Sequence, residues 1–257
     1  MRDLGLEEAI RLAGGVGALA RKIGISQPSV SNWSRVPAER VLSVEAATGV
    51  SRAVLRPDLY AQSAAENVEE VDAARAQEYA LLAMLLARAP DTALLGRIAE
   101  LRADPSPLGF AHAALAEAAS VAKAESIERE FFDLFIGIGR GELLPYCSYY
   151  LTGFLHERPL ARLRADLANL QIERAEGQAE PEDHAAILCE IMAGLASRRF
   201  PASTDTEREF FERHLAPWIG RFFADLEQAE AADFYRGVGR LARVFIDIET
   251  AAFALPS

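Results

Sequence analysis

The stretch EPEDHAAILCEIM, Glu180–Met192, sets four ionisable side chains directly before an apolar run. It reads first as the start of a helix. Pro181 suits the first helical position, with Glu180 or the residue before it as the cap. Glu182 and Asp183 then fall in the first turn, where carboxylates complement the helix dipole. His184 opens an apolar stripe with Leu188, Ile191 and Leu195, which points its ring toward the core edge. Asp183 shares the neighbouring stripe with Ile187 and Glu190, which puts it at a rim. The same residues are also candidates for a catalytic cluster, a metal site or a docking site.

The chain around this helix, expected over about 182–197, is helical nearly throughout. Ala, Leu, Glu and Arg dominate and alternating β-branched runs are scarce. Helices are expected over about 75–89, from Asp91 as a cap, over 107–123, from Ser126, and over 157–170, 205–226 and 230–254. The last carries Phe234, Val238, Leu241, Phe245 and Ile248 at spacings of four and three. GIGRGELLPYCSYY, 137–150, breaks the pattern with three glycines and a proline and reads as a loop. Residues 61–74 lack large apolar side chains apart from valine and carry an acidic run. The expected organisation is therefore a small domain over 1–62, a linker or frayed helix start over 63–74, and a larger domain over 75–257. The fold class is all-α.

Charge separates the two parts. Residues 1–62 carry eight basic and six acidic side chains, about +2, whereas the remainder carries 19 and 32, about −13. The first part tolerates a polyanion; the second prefers cationic partners. No stretch approaches the ~20 apolar residues of a membrane span, so no membrane insertion is expected. The two cysteines, Cys147 and Cys189, stand in no metal spacing and read as reduced core thiols of a cytoplasmic protein.

VGALARKIGISQPSVSNW, Val16–Trp33, has the helix-turn-helix pattern. Leu19, Ile23, Ile25, Val30 and Trp33 are apolar where two short helices must pack, Ala20 is small at the crossing, and Gly24 falls at the turn. The second helix starts near Ser26 or Gln27 and tolerates Pro28 in its first turn. Gln27, Ser29, Ser31 and Asn32 face outward as candidate base-reading groups, with Arg21 and Lys22, and beyond them Arg35 and Arg40, as candidate phosphate contacts. With the continuation PAERVLSVEAATGVSRAVLRPDLY, the segment resembles the Cro-like YdaS group over residues 4–60. The resemblance implies a small DNA-binding domain, with a homodimer as the hinted state.

In the larger part the histidines lack ligand partners at helical spacing, so no metal is expected. Ser148 has no glycine elbow. GIGRGE lacks the lysine and hydroxyl of a phosphate loop. No catalytic residue is expected, although a hydrolase using Asp183 and His184 stands as a weaker alternative.

Three phrases in order, FFDLFIGIGRGELLPYCSYYLTG (131–153), EPEDH (180–184) and FFERHLAPW (210–218), look like the TorD/DmsD/NarJ group over about residues 73–257. The group's pattern differs at Cys147. The resemblance implies an all-helical cytoplasmic chaperone of a molybdopterin-dependent oxidoreductase. Its partners would be the apo catalytic subunit and that subunit's twin-arginine signal peptide, with no catalysis of its own. It also implies transient contact with molybdopterin guanine dinucleotide or a guanine nucleotide, for which the residues show no site. An exported formate dehydrogenase is the expected client. A twin-arginine leader needs carboxylates beside an apolar groove. Glu180, Pro181, Glu182, Asp183 and His184 are the expected charged side, and Phe135, Tyr146, Tyr149 and Tyr150 the expected wall. The alternative is a transcriptional regulator whose acidic domain senses or dimerises.

Overall fold

The computed structural model describes residues 2–174, 177, 179–200 and 202–255, without the side chains of 61–67. The described residues form helices and connections; the one β-type feature among them is an isolated antiparallel bridge. Two compact units divide the chain at Asp72/Ala73.

In the first unit, α1 (Leu4–Ala13) is capped by the Asp3 carboxylate at the Gly5 amide, 2.8 Å, and ends at left-handed Gly14. Then come α2 (Val16–Lys22), α3 (Gln27–Ser31), α4 (Val41–Thr48) and α5 (Arg52–Leu55). Gly24 turns α2 into α3 at φ +70°, and Ser26 caps α3 with Pro28 in its first turn. Leu19, Ala20 and Val30 are buried with Leu6, Val36, Val41 and Leu55. Gly5 lies so close to the Val54 carbonyl and Leu55 that a Cβ would collide with backbone. Arg56 explains the LRPD phrase: its guanidinium donates to the Val36 carbonyl at 2.9 Å and grips Asp58 bidentately at 2.7 Å.

Helix α6 (Pro57–Ala87) carries the backbone from one unit into the other. Residues 63–74 are helical, while the side chains of 63–67, within the expected linker, lie outside the described residues.

The second unit continues with α7 (Thr92–Ala99), α8 (Pro107–Val121), α9 (Ala124–Phe131), α10 (Cys147–Thr152) and α11 (Arg158–Asn169). It ends with α12 (Ala185–Ala196), α13 (Thr204–His214), α14 (Ile219–Gln228) and α15 (Phe234–Phe253). Asp91 caps α7 through the Leu94 amide. α12 buries ten of its twelve residues, so it is the central helix of the unit, apolar nearly all round. Around it pack Tyr79, Leu82 and Leu85 of α6, Trp218, Phe222 and Phe223, and the α15 stripe Phe234, Val238, Leu241 and Phe245. Ile248, expected on that stripe, is exposed, and Ile246 and Phe253 carry the buried face onward.

Two boundaries differ from the sequence reading. The single helix expected over 205–226 is two. Pro217 cannot donate a helical hydrogen bond, and the chain re-enters helix after Trp218, whose indole donates to the His214 carbonyl at 2.8 Å. The helix expected from 182 begins at Ala185, because 181–184 turn away to pair with another segment.

Buried charge ties α6 to the bundle. Arg75 donates to both oxygens of Glu249 at 2.7 Å and to Glu207 at 2.6 Å. The carboxylates are almost fully buried, at 1% and 2% exposure. Arg75 also lies over the Phe253 ring.

Candidate functional site

Helix α9 runs into a π-helical turn, Phe132–Ile136, closed by the Gly137 amide on the Phe132 carbonyl at 2.7 Å. Such turns add one residue to the helix and re-aim its side chains. Here Phe135 meets Phe131 and Tyr235 edge-on, and Phe131 lies tilted against Tyr235. The glycines that follow let the chain fold back tightly. A Cβ on Gly141 would sit 2.6 Å from the Leu134 carbonyl oxygen. Two carboxylates flanking the π-helical turn hold the connection between α14 and α15: Glu130 of α9 accepts the amides of Asp233, Phe234 and Tyr235 where α15 starts, and Glu142 of the loop those of Glu230 and Ala231 in the turn before it. Burial pushes the Glu130 carboxyl upward in pKa, against those three amides.

Beyond the loop, Tyr146 and His184 form the antiparallel bridge. The Cys147 amide donates to the Asp183 carbonyl at 3.0 Å and the Ala185 amide to the Pro145 carbonyl at 2.8 Å. The rings of Tyr146 and His184 meet edge to face, 5.0 Å between centroids, and the Tyr146 hydroxyl donates to Glu180. His184, not Glu180, is the N-cap of α12: its Nδ1 accepts the Ala186 amide at 3.1 Å. That bond assigns any imidazole proton to Nε2. Burial lowers the His184 pKa to about 4, with Glu180 and Asp183 opposing more weakly, so the ring is neutral at physiological pH. Burial likewise pushes the Tyr146 hydroxyl up, helped by Glu180.

These residues line a cleft of about 740 Å³. One wall is a face of α6: Ala80, Ala83, Met84 and Ala87. Facing it is a face of α12: Ala186, Ile187, Glu190 and Ala193. Small side chains on both helices leave the space open. Phe131, Phe135 and Ile136 extend the apolar lining, and Tyr146, Glu180 and His184 close one side. The charge of the lining is mixed, with Glu180 and Glu190 beside Arg88 and Arg199, and not purely anionic as the composition suggests.

Of the sequence-derived residues, Phe135, Tyr146, Glu180 and His184 come together here. The others do not. Pro181 only offers its carbonyl to the His184 amide. Glu182 pairs with Arg164 at 2.8 Å, outside the cleft. Asp183, expected at a rim, is 1% exposed because Oδ2 accepts the buried Ser148 amide at 2.8 Å. Tyr149 packs against Arg140. Tyr150 donates to Asp225 at 2.8 Å and stacks on Trp218 and Phe222. The sequence reading missed the α6 face altogether. Its signal was an alanine-rich stripe opposite the leucines, Ala80, Ala83 and Ala87.

No hydrogen bond joins Asp183 to His184, so the geometry of an acid–base pair is not there. Among the described residues no cluster of three or more His, Cys, Asp or Glu side chains is placed to hold a metal. Among them also, no helix is long and apolar enough to cross a membrane.

In the first unit, Arg21, Lys22, Gln27, Ser29, Ser31 and Asn32 are all exposed, on and beside α3. Arg35, by contrast, is paired with Asp58 at 3.3 Å.

Comparison with known proteins agrees with both units. Residues 101–224 match the family described as nitrate reductase delta subunit, and residues 6–64 match the family described as bacterial toxin YdaS. The second unit is similar in sequence to TorD chaperones. A chaperone protein TorD from Vibrio cholerae is 31% identical over 126 residues, covering 46% of this chain and 57% of that protein. A TorD from Vibrio atlanticus is 26% identical over 134 residues, covering 48% and 62%. The chain thus spans a little over half the length of the curated relatives it matches. A solved structure from Archaeoglobus fulgidus, described as a redox enzyme maturation protein, aligns at a TM-score of 0.46 and 20% identity. The alignment covers 67% of this chain and 93% of that one. The YdaS-like unit precedes the TorD-like unit in the chain.

Proposed function

We propose that this protein is a cytoplasmic maturation chaperone for a molybdopterin-dependent oxidoreductase. It binds the apo catalytic subunit through that subunit's twin-arginine signal peptide and catalyses nothing itself. The observation that carries the reading is the cleft: an open apolar trough between α6 and α12, with carboxylates of Glu180 and Glu190 in its lining. A twin-arginine leader is two guanidiniums followed by an apolar segment. Guanidiniums pair with carboxylates, and an apolar helix seats on a trough of small and aliphatic side chains. The unit's excess of acidic over basic residues steers a basic peptide toward it. An exported formate dehydrogenase is the proposed client. Titration calorimetry with the leader peptide of a co-encoded molybdoenzyme tests this. The wild type binds, Glu180→Gln with Glu190→Gln weakens binding and flattens its salt dependence, and Ala83→Trp weakens it by filling the trough. A wild type that takes neither the leader nor the apo subunit overturns the proposal.

A second role rests on the first unit. The exposed polar face of α3 and the adjacent Arg21 and Lys22 are arranged as a helix-turn-helix reader requires. DNA binding then reports client occupancy to the promoter. A gel shift at low salt on the gene's own upstream DNA, lost in Gln27→Ala with Asn32→Ala, tests it; no shift removes it.

A further inference from the structure

Helix α10 begins without a cap of its own, since Tyr146 at its N-cap position offers no side-chain acceptor. The acceptor comes from Asp183, 35 residues away in sequence, whose Oδ2 takes the Ser148 amide in the first turn. A carboxylate there satisfies a donor that helix geometry leaves open and also complements the dipole. The two backbone bonds beside it, Cys147 to Asp183 and Ala185 to Pro145, run between the same segments. This junction sets Tyr146 against His184 and brings its hydroxyl to Glu180, and those three residues form one side of the cleft.

We infer that Asp183 is a positioning residue. It latches segment 145–148 to segment 180–185, and so shapes the client side of the cleft without touching the client. The inference rests on the cleft reading above. It separates two roles that the acidic phrase merges in sequence: Glu180 meets the client and Asp183 holds the wall. An asparagine at 183 retains an acceptor for the Ser148 amide but carries no charge, so hydrogen bonding and charge can be told apart.

The test uses the full chain with Asp183→Asn, Asp183→Ala and Glu180→Gln. The readouts are hydrogen exchange at the Ser148 amide and affinity for a twin-arginine leader peptide. Asp183→Asn keeps slow exchange and an affinity within about twofold of wild type, since the hydrogen bond survives. Asp183→Ala speeds exchange and weakens the peptide roughly tenfold, the scale of one lost buried hydrogen bond. Glu180→Gln weakens the peptide and leaves exchange unchanged. If Asp183→Asn loses as much affinity as Asp183→Ala while Ser148 stays protected, Asp183 is a charge contact to the client and the inference falls. If Asp183→Ala leaves Ser148 protected, there is no latch. Should the wild type take no leader at all, the functional reading fails, and exchange at Ser148 still decides the latch.

Discussion

Replacing Arg75 by methionine tests what holds α6 against the bundle of the second unit. The guanidinium donates charge-assisted bonds to both oxygens of Glu249 and to Glu207, all between 2.6 and 2.7 Å. Both carboxylates are buried beyond the reach of bulk water. Methionine keeps most of the apolar volume, so the loss comes from removing the guanidinium that bridges two buried carboxylates. Breaking a buried pair from one side costs about 3–5 kcal/mol. For a domain of this size each kcal/mol lowers the melting midpoint by about 2–4 °C, so the midpoint drops by roughly 6–20 °C. Thermal and urea unfolding followed by circular dichroism read the change. A triple variant, Arg75→Met with Glu207→Met and Glu249→Leu, recovers most of the loss, since an apolar cluster of similar volume replaces a buried ionic one at little cost. A single variant that loses less than about 1 kcal/mol would refute the reasoning, because that is the worth of a solvated surface pair. A triple variant no better than the single would refute it as well.

Three further outcomes follow from residues already described. His184 has its pKa lowered to about 4 by burial. The unfolded chain therefore binds the proton first as pH falls, and about 3 kcal/mol of stability present above pH 6.5 is lost by pH 4. His184→Asn, which keeps an acceptor for the Ala186 amide, removes that slope in urea titrations run across the window. His112, raised by its bond to Glu78, contributes the opposite sign in both proteins and cancels in the comparison. An unchanged slope would show that the ring is solvated. Gly141→Ala forces a Cβ against the backbone of Leu134 and Phe135, so it lowers stability by about 1–3 kcal/mol; a neutral melt would contradict the tight return of the loop. In the first unit, the Arg56 bond holds Asp58 down to a pKa of about 2. Its stabilisation is present above the ordinary carboxylate range and lost as pH falls through about 2. Arg56→Met therefore flattens the acid limb of that unit's unfolding curve, and an identical limb would show that the pair contributes nothing.

Local patterns were legible and long-range pairings were not. The helix-turn-helix could be read from apolar spacing, Gly24 and Pro28 because each acts within a few residues of itself. The Asp91 cap and the leucines of α6 were readable for the same reason. The start of α12 was misread because Pro181, Glu182 and Asp183 are good first-turn residues taken alone. Tertiary pairing with Pro145–Cys147 outweighs that preference, and histidine, an unusual cap, takes the position. Glu182 and Asp183 were assigned to one role because they are adjacent. Their side chains leave the backbone in different directions, one to Arg164 and one to Ser148. The cleft was missed for another reason. It exists because Ala80, Ala83, Ala87, Ala186 and Ala193 leave room, and the alanine stripe of α6, though periodic, does not say that α12, about a hundred residues on, will present small side chains opposite it.

The bridge between Tyr146 and His184 also sets the order of events during synthesis. Its two partners are nearly forty residues apart, with α10 and α11 between them. Closing a loop of that length costs on the order of 3 kcal/mol before any contact repays it, and such distant contacts form late. Until residues 180–185 have been made and have docked on 145–148, the trough has no wall on that side. Its shape is therefore a product of tertiary pairing and not of any one helix.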